Sequence, residues 1–395
     1  MAMPTFGKLE RTANMAKQLA KTGAVITDVS EMQRYYGGPE LKHLSLEYLL
    51  SSNVFPLGII LQLFGAEATG KSTLAFSLLN EYFGRLGGDA NLIDTEQKVN
   101  NSLLEAIMDE EVIADDRFHI FRAPTQEKAQ SILTILAKEI NEVTHGKRRD
   151  SVPHLMGIAL DSFRVGSEAT QAEVLKNGFA SKAFAVEANL WRRYLSMFSS
   201  LLQYVPMSLI VVNHQVEKES PLGYGKVYDV GGGAALKFYE TYRIQVKAIG
   251  KKSIQSMVYT DLALKSFKNS NGEANQVIYP RISYKSPDQP DGKIIVDWNI
   301  ADAKLLAGPD IPRSKLASEG ICDVKESSKA GLYNDAVNNL KMVPIDDIIQ
   351  NLYESPDKLA AFRSHLGIST NRTVEELWED GWFKDAKPAS SFGED

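Results

Sequence analysis

Between Leu61 and Leu79 the chain reads LQLFGAEATGKSTLAFSLL: an apolar run, a glycine-bounded turn, then apolar positions at helical spacing. The pattern predicts a buried strand, a short loop and an apolar-faced helix. Three further apolar runs predict buried strands: Asn91–Gln97 (NLIDTEQ) after the Gly87-Gly88 turn, His154–Ser162 (HLMGIALDS) and Met207–Gln215 (MSLIVVNHQ). Helix-spaced stretches lie between them. Ala129, Ile132, Leu133, Leu136 and Ile140 fall on one helical face, and HGKRRD after them reads as a surface turn. A largely helical segment spans Ser167–Val205, with Phe184, Leu190, Trp191, Leu195, Phe198 and Leu202 as its expected buried stripe. Strands alternating with helices predict a parallel sheet covered on both faces.

From Thr241 the texture changes. YRIQVKAIG, QSMVYTDLALKSF and ANQVIYPRISY are β-rich between Gly and Asn turns, which predicts antiparallel strands extending the sheet. SPDQPDGK (Ser286–Lys293) reads as a turn-rich loop. Beyond it PIDDIIQNLY, PDKLAAFRSHL and TVEELWEDGW predict a small, mostly helical region, and the closing KPASSFGED reads as frayed. At the other end, Leu9, Ala13, Ala16, Leu19 and Ala20 space a basic amphipathic helix. No fixed-period repeat is present. The expected organisation is an N-terminal helical segment (1–44), an α/β core (45–301) and a small acidic C-terminal domain with its tail (302–395).

Composition narrows the class without naming it. The 395 residues are 44% hydrophobic and 24% charged, ordinary for a globular chain with an ample core. The single Cys322 excludes a disulfide framework and a cysteine-based zinc site, and fits a reducing compartment. No apolar run approaches the ~18 residues of a membrane-spanning helix, and the N-terminus has no signal-peptide core. The net charge of −6 is uneven: residues 302–395 carry 11 Lys and Arg against 17 Asp and Glu, so residues 1–301 are neutral as a whole. Such a core can hold a nucleic acid through local grooves, not through bulk charge.

The chemistry concentrates at strand ends. Gly65-x-x-x-x-Gly70-Lys71-Ser72 is a phosphate cradle: its glycines let backbone N–H groups approach phosphate oxygens, Lys71 supplies a point charge and Ser72 a Mg²⁺ ligand. Asp161, ending its strand, suits the second carboxylate of a magnesium-nucleotide site. Asp94 and Glu96 end the strand that follows the cradle in sequence. Of the two, Glu96 lies further toward the carboxyl end, where ligands bind in such sheets, and is the candidate to orient an attacking water. Asn213, His214 and Gln215 close a further strand, with polar groups able to sense a terminal phosphate. The segment VEKESPLGYGKVYDV after them reads as mobile until something orders it. Gly231, Gly232 and Gly233 then precede the short helix AALKFY, whose N–H groups can meet the phosphates of another polymer.

In order, GAEATGKST, IDTEQ, IALDS, VVNHQ and GGGAALKFYETYRIQVKAIG resemble the RecA family of strand-exchange recombinases, over roughly Ser45–Tyr284. The glycine run feeding ALKFY and a following arginine is a specific mark of bacterial and phage members. Asn213-His214 is closer to the phage UvsX-type branch than to bacterial members, which carry Asn-Gln there. The resemblance implies an α/β, RecA-like P-loop NTPase core: a central, mostly parallel sheet extended by antiparallel strands, an N-terminal helix that docks on the adjacent subunit, and a small α-rich C-terminal domain. It implies a DNA-dependent ATPase using ATP and Mg²⁺. As a homo-oligomeric helical filament it would coat single-stranded DNA and exchange it with homologous double-stranded DNA. A cytoplasmic setting at the nucleoid or replication compartment, no membrane, and partners such as a single-strand-binding protein and a loading mediator come with it.

Position by position, the resemblance makes Gly65, Ala66, Glu67, Ala68, Thr69, Gly70, Lys71, Ser72 and Thr73 the nucleotide cradle, with Ser72 and Asp161 at the metal. Glu96 becomes the water-activating residue, and Asn213 and His214 the relay from nucleotide to DNA. Lys265 matches a lysine that reaches the neighbouring subunit's ATP, with Lys268 as a second. DNA contacts fall on a first loop (Arg164, Lys176, Lys182) and on a second (Lys218, Lys226, Gly231, Gly232, Gly233), with Lys237 just beyond. Two positions depart from the family pattern: Leu103 stands where bacterial members stack an aromatic ring on adenine, and Ala234 replaces a polar residue. A ring-forming helicase or clock-type ATPase with the same core, and a mediator that binds a recombinase without exchanging strands, are the alternative readings.

Overall fold

The computed structural model describes residues 37–114, 117–144, 154–177, 183–219, 226–230, 235–254, 257–285, 292–309, 311–329 and 331–379. The expected N-terminal helix, the HGKRRD turn, Lys182, Gly231, Gly232, Gly233, Ala234, most of the 286–293 loop and the closing tail lie outside them, as do the side chains of Phe184, Lys218 and Lys226.

The first part of the chain alternates as its pattern predicts. In order come α1 (Leu44–Leu50), β1 (Ile60–Gly65), α2 (Lys71–Tyr82), β2 (Asp89–Asp94), α3 (Asn101–Ile107), α4 (Glu110–Ala114), β3 (Phe118–Arg122), α5 (Gln126–Thr144), β4 (Met156–Asp161), α6 (Glu168–Asn177) and α7 (Ala183–Leu202). Then follow β5 (Met207–Glu219), β6 (Lys226–Val230), α8 (Ala235–Tyr239), β7 (Tyr242–Ile254), β8 (Met257–Asn269), β9 (Val277–Ile278), β10 (Arg281–Lys285) and β11 (Ile294–Asp297). The large sheet runs β11-β10-β8-β7-β1-β5-β4-β2-β3, parallel from β7 through β3 and antiparallel from β7 to β11. The β-rich sequence after Thr241 thus does extend the sheet.

Successive strand residues face opposite ways, and both faces of the central strands are covered, so β1, β4 and the first half of β5 are apolar almost throughout. Leu61, Leu63, Leu92 and Val212 pack against Leu74, Phe76, Leu79 and Tyr82 of α2. Their neighbours Ile60, Ile93, Leu160 and Val211 pack on the other face, against Leu133 and Ile140 of α5 and Trp191, Leu195, Phe198 and Leu202 of α7. The expected stripe of α7 is therefore buried along its described length, except that Leu190 is only half-buried.

Two expectations need correction. The polar segment after His214 is not an open loop in its described part. β5 runs on to Glu219 and pairs antiparallel with β6, Gln215 opposite Val230 and Lys218 opposite Val227. Antiparallel ladders satisfy the backbone without an apolar face, so polar composition alone hides such a ribbon. The C-terminal region is also not simply helical. Besides α9 (Asn299–Ala307), α10 (Arg313–Ser318), α11 (Ile345–Tyr353), α12 (Pro356–His365) and α13 (Val374–Glu379), it holds an antiparallel sheet of β12 (Val324–Glu326), β13 (Tyr333–Asp335) and β14 (Leu340–Val343). Strands of three or four residues are too short to show a period.

The boundary expected between residues 301 and 302 falls inside α9. That helix is shared: Ala301 belongs to the sheet's core, and Ala303, Leu305 and Leu306 to the cluster built with α11 and α12. The seam is polar as well as apolar. Buried Glu47 of α1 takes two hydrogen bonds from Arg363 of α12, both 2.7 Å, and a third from the Tyr353 hydroxyl at 2.7 Å.

Candidate functional site at the carboxyl ends of the parallel strands

Register brings the motif residues together. β1 and β5 pair Phe64 with Asn213 and Gly65 with His214, while Phe64 also pairs with Gln245 of β7 and Gln245 with Lys265 of β8. On the other side Asp161 lies opposite Val212 and Asp94 opposite Asp161. Gly65, Asp94 and Asp161 are the last residues of β1, β2 and β4 and lie along one edge of the parallel sheet, the edge at which open α/β sheets bind ligands. There a cavity of about 400 Å³ is lined by Glu67–Thr73, Glu96, Lys98, Asp161, Val212 and His214.

The cradle's backbone has the shape its sequence predicts. Ala68 and Gly70 are left-handed, with φ of 54° and 85°. A Cβ on Gly65 would stand 2.2 Å from the Val246 carbonyl oxygen, so only glycine fits beside β7 there. α2 begins at Lys71 without a side-chain cap, leaving its first-turn N–H groups directed at the cavity. Lys71 is buried and its Nζ donates to the Ala66 carbonyl at 2.5 Å. Burial lowers the Lys71 pKa, opposed by the charges of Asp161, Glu67 and Glu96. Loop donors, a helix N-terminus and a lysine converging on one cavity fit a polyphosphate.

The acidic side is equally definite. Burial pushes the Asp161 carboxyl up, against a hydrogen bond from the Ser72 side chain. That pairing puts hydroxyl and carboxylate where a Mg²⁺ bound to phosphate would find both. Asp94 serves the backbone instead, being 1% exposed, and its oxygens accept from the Gln97 N–H (2.7 Å) and the Val99 N–H (3.2 Å). It forms the turn past β2, and Glu96, not Asp94, reaches the cavity. Glu96 Oε1 accepts from His214 Nε2 at 2.8 Å, and Oε2 from Lys98 Nζ at 2.6 Å. Partial burial works to raise its pKa, but the hydrogen bonds from Lys98 and His214 hold it down at about 2.

Other singled-out residues sit apart from this cavity. Leu103 packs half-buried on the core and does not line it. Lys265 lies over the Phe267 ring at 5.2 Å, half-buried. Lys268 does not project outward: its Nζ donates to the Lys237 carbonyl at 2.9 Å, tying β8 to α8. Arg164 and Lys176 are exposed. Sequence reasoning missed Lys98, whose only signal was its place two residues after Glu96.

The RecA N-terminal domain family matches residues 17–285. The chain belongs to the RecA family. It is 25% identical over 229 residues to the RecA protein of Mycoplasma mobile, covering 57% of this chain and 62% of that one. Against the RecA protein of Rubrobacter xylanophilus it is 26% identical over 248 residues, covering 59% and 66%. With that of Desulforapulum autotrophicum it shares 24% identity over 308 residues, covering 73% and 82%. The chain spans just under two thirds of the length of the first two.

Proposed function

We propose that this RecA-family protein is a DNA-dependent ATPase that forms filaments on single-stranded DNA and drives homologous pairing and strand exchange. One observation carries the reading. His214 in the cavity is followed without interruption by the β5–β6 ribbon, and Gln215, its neighbour, pairs with Val230, the residue before the glycine run. The described part of the candidate DNA-binding segment is thus paired at its base, Gln215 with Val230, one residue from a side chain that touches Glu96. A nucleotide that moves His214 moves the segment's base.

In this reading Gly65–Thr73 hold the phosphates, Lys71 offsets their charge, Ser72 and Asp161 hold Mg²⁺, and Glu96 orients the attacking water. Lys265 reaches the neighbouring subunit's nucleotide, whereas the bond of Lys268 to Lys237 suits a brace within the subunit. The first loop with Arg164, Lys176 and Lys182, and the ribbon with Lys218, Lys226, Gly231, Gly232, Gly233 and Lys237, face DNA. Residues 1–44 bridge subunits, and residues from 302 onward form the acidic accessory module. Asn213-His214 favours the phage UvsX-type branch, and the protein works in the cytoplasm. Among the described residues no helix is long and apolar enough to cross a membrane.

The test is Lys71→Ala. Phosphate release with single-stranded DNA and exchange between homologous DNAs should both disappear, while wild-type protein with ATP and single-stranded DNA gives helical filaments by electron microscopy. Closed rings would favour the helicase reading. Turnover indifferent to DNA would favour a mediator.

A further inference from the structure

Lys98 has no part in the chemistry assigned above, yet it lines the cavity and bonds the residue assigned to water. Its position is built, not incidental. Gln97 is left-handed at φ 54°, which doubles the chain back so that Lys98 lies over Glu96. The turn is pinned from below by Asp94 through the Gln97 and Val99 N–H groups. A second clasp holds it to β4: Thr95 Oγ1 donates to the Ser162 carbonyl and accepts from the Ser162 N–H, both at 2.8 Å. The backbone is fixed, but the side chain of Lys98 is 78% exposed, so its tip is free to swing.

The electrostatics give it two places to go. Besides Glu96, the charges of Glu67 and Asp161 act on Lys98, so its ammonium sits in the field of the whole cavity. Exposed ion pairs are weak and exchange readily, whereas a phosphate offers a stronger charge-assisted acceptor. Glu96 meanwhile is held by two donors, Lys98 at 2.6 Å and His214 at 2.8 Å, with a pKa of about 2. A carboxylate so stabilised is a poor proton acceptor near neutrality.

We propose that Lys98 is a positioning residue that alternates between the Glu96 carboxylate and the terminal phosphate of a nucleoside triphosphate in the cradle. Arrival of the third phosphate draws Lys98 off Glu96 Oε2, which frees that oxygen for water and restores basicity to the carboxylate. A diphosphate, which lacks the acceptor, leaves Lys98 on Glu96 and the carboxylate suppressed. The inference rests on the proposed role of Glu96, and the experiment separates the two.

Affinities for ADP and for the non-hydrolysable adenosine 5′-(β,γ-imido)triphosphate, with Mg²⁺, are measured by competition against a fluorescent nucleotide, alongside hydrolysis. The variants are Lys98→Ala, Lys98→Arg and Glu96→Gln. Lys98→Ala should lower the preference for triphosphate over diphosphate about five- to tenfold, the loss of one charge-assisted contact, with ADP affinity within about twofold. Lys98→Arg should restore the preference, and Glu96→Gln should abolish hydrolysis while both nucleotides still bind. Hydrolysis by Glu96→Gln at the wild-type rate overturns the assignment of Glu96, and the Lys98 proposal with it. If Glu96→Gln is inactive but Lys98→Ala keeps the wild-type preference, or weakens both nucleotides equally, only the Lys98 proposal is overturned.

Discussion

Glu240 joins α8 to β7 and is 2% exposed, and among the described residues its carboxyl oxygens accept no hydrogen bond. Arg243 Nε lies 3.4 Å from Oε1, too poorly aimed to donate. Burial raises the Glu240 pKa to about 7 from the ordinary 4.5, against the charges of Arg243, Lys268 and Lys237. The native carboxyl therefore keeps its proton to about pH 7, whereas the unfolded one releases it near 4.5. The stability this confers is complete below pH 4.5 and is lost as pH rises through 7. The displacement from 4.5 to about 7, at ~1.36 kcal/mol per pH unit, amounts to roughly 3 kcal/mol. Glu240→Gln keeps the shape and never ionises. Urea unfolding of wild type and Glu240→Gln at about pH 5 and about pH 8 should show the variant gaining about 2–3 kcal/mol relative to wild type between the two. A difference that stays constant with pH would refute the reasoning, because it would mean that the buried carboxylate ionises without cost.

Two further outcomes follow from the seam. Arg363→Met should destabilise the protein by about 3–5 kcal/mol because it strands the buried Glu47 charge, while Glu47→Gln with Arg363→Met should recover most of the loss; additive effects in thermal melts would contradict a coupled pair. Deleting the chain from Pro344 onward removes Arg363 and the buried Phe362, so a truncation unfolds the seam before it tests any role of acidic charge. Neutralising the exposed Asp347, Glu354 and Glu375 together avoids this, and should strengthen duplex-DNA binding at low salt and make it more salt-sensitive; unchanged affinity would remove the acidic module from the account.

The sheet was legible wherever strands are buried on both faces, because runs such as Leu61–Phe64 and Leu209–Val212 have no other use than burial. The cradle was legible because its glycines answer a backbone demand that no other residue meets. What stayed hidden was pairing across long separations. Nothing in IDTEQ or VVNHQ announces that Glu96 and His214, 118 positions apart, share a hydrogen bond, or that Glu47 waits for Arg363, 316 positions on. Polar strands hid for a different reason: the β5–β6 ribbon and the three short C-terminal strands satisfy backbone groups without an apolar stripe. Lys98 depended on a left-handed glutamine, a conformation that residue type does not foretell.

The same helix that opens at the cradle closes on the seam. α2 starts with Lys71 and spans 12 residues, about 18 Å at 1.5 Å per residue. Near its far end Glu81 lies 3.4 Å from His43 Nε2, whose Nδ1 is 3.2 Å from Asp302 of α9. Asp302 is fully buried and also accepts from the Ser45 N–H at 2.7 Å. Burial opposes the charge on His43, but Asp302 and Glu81 prevail and raise its pKa to about 9, so the imidazolium is present at neutral pH. A carboxylate–imidazolium–carboxylate chain therefore clamps the last turn of α2 to the helix shared with the C-terminal module. A shift of the cradle that moves α2 as a rigid rod must either carry α9 with it or break that clamp. This gives the acidic module a physical route to the nucleotide that needs no contact with the cavity, and the coupling energy between Lys71→Ala and His43→Ala in a double-mutant cycle is its measure.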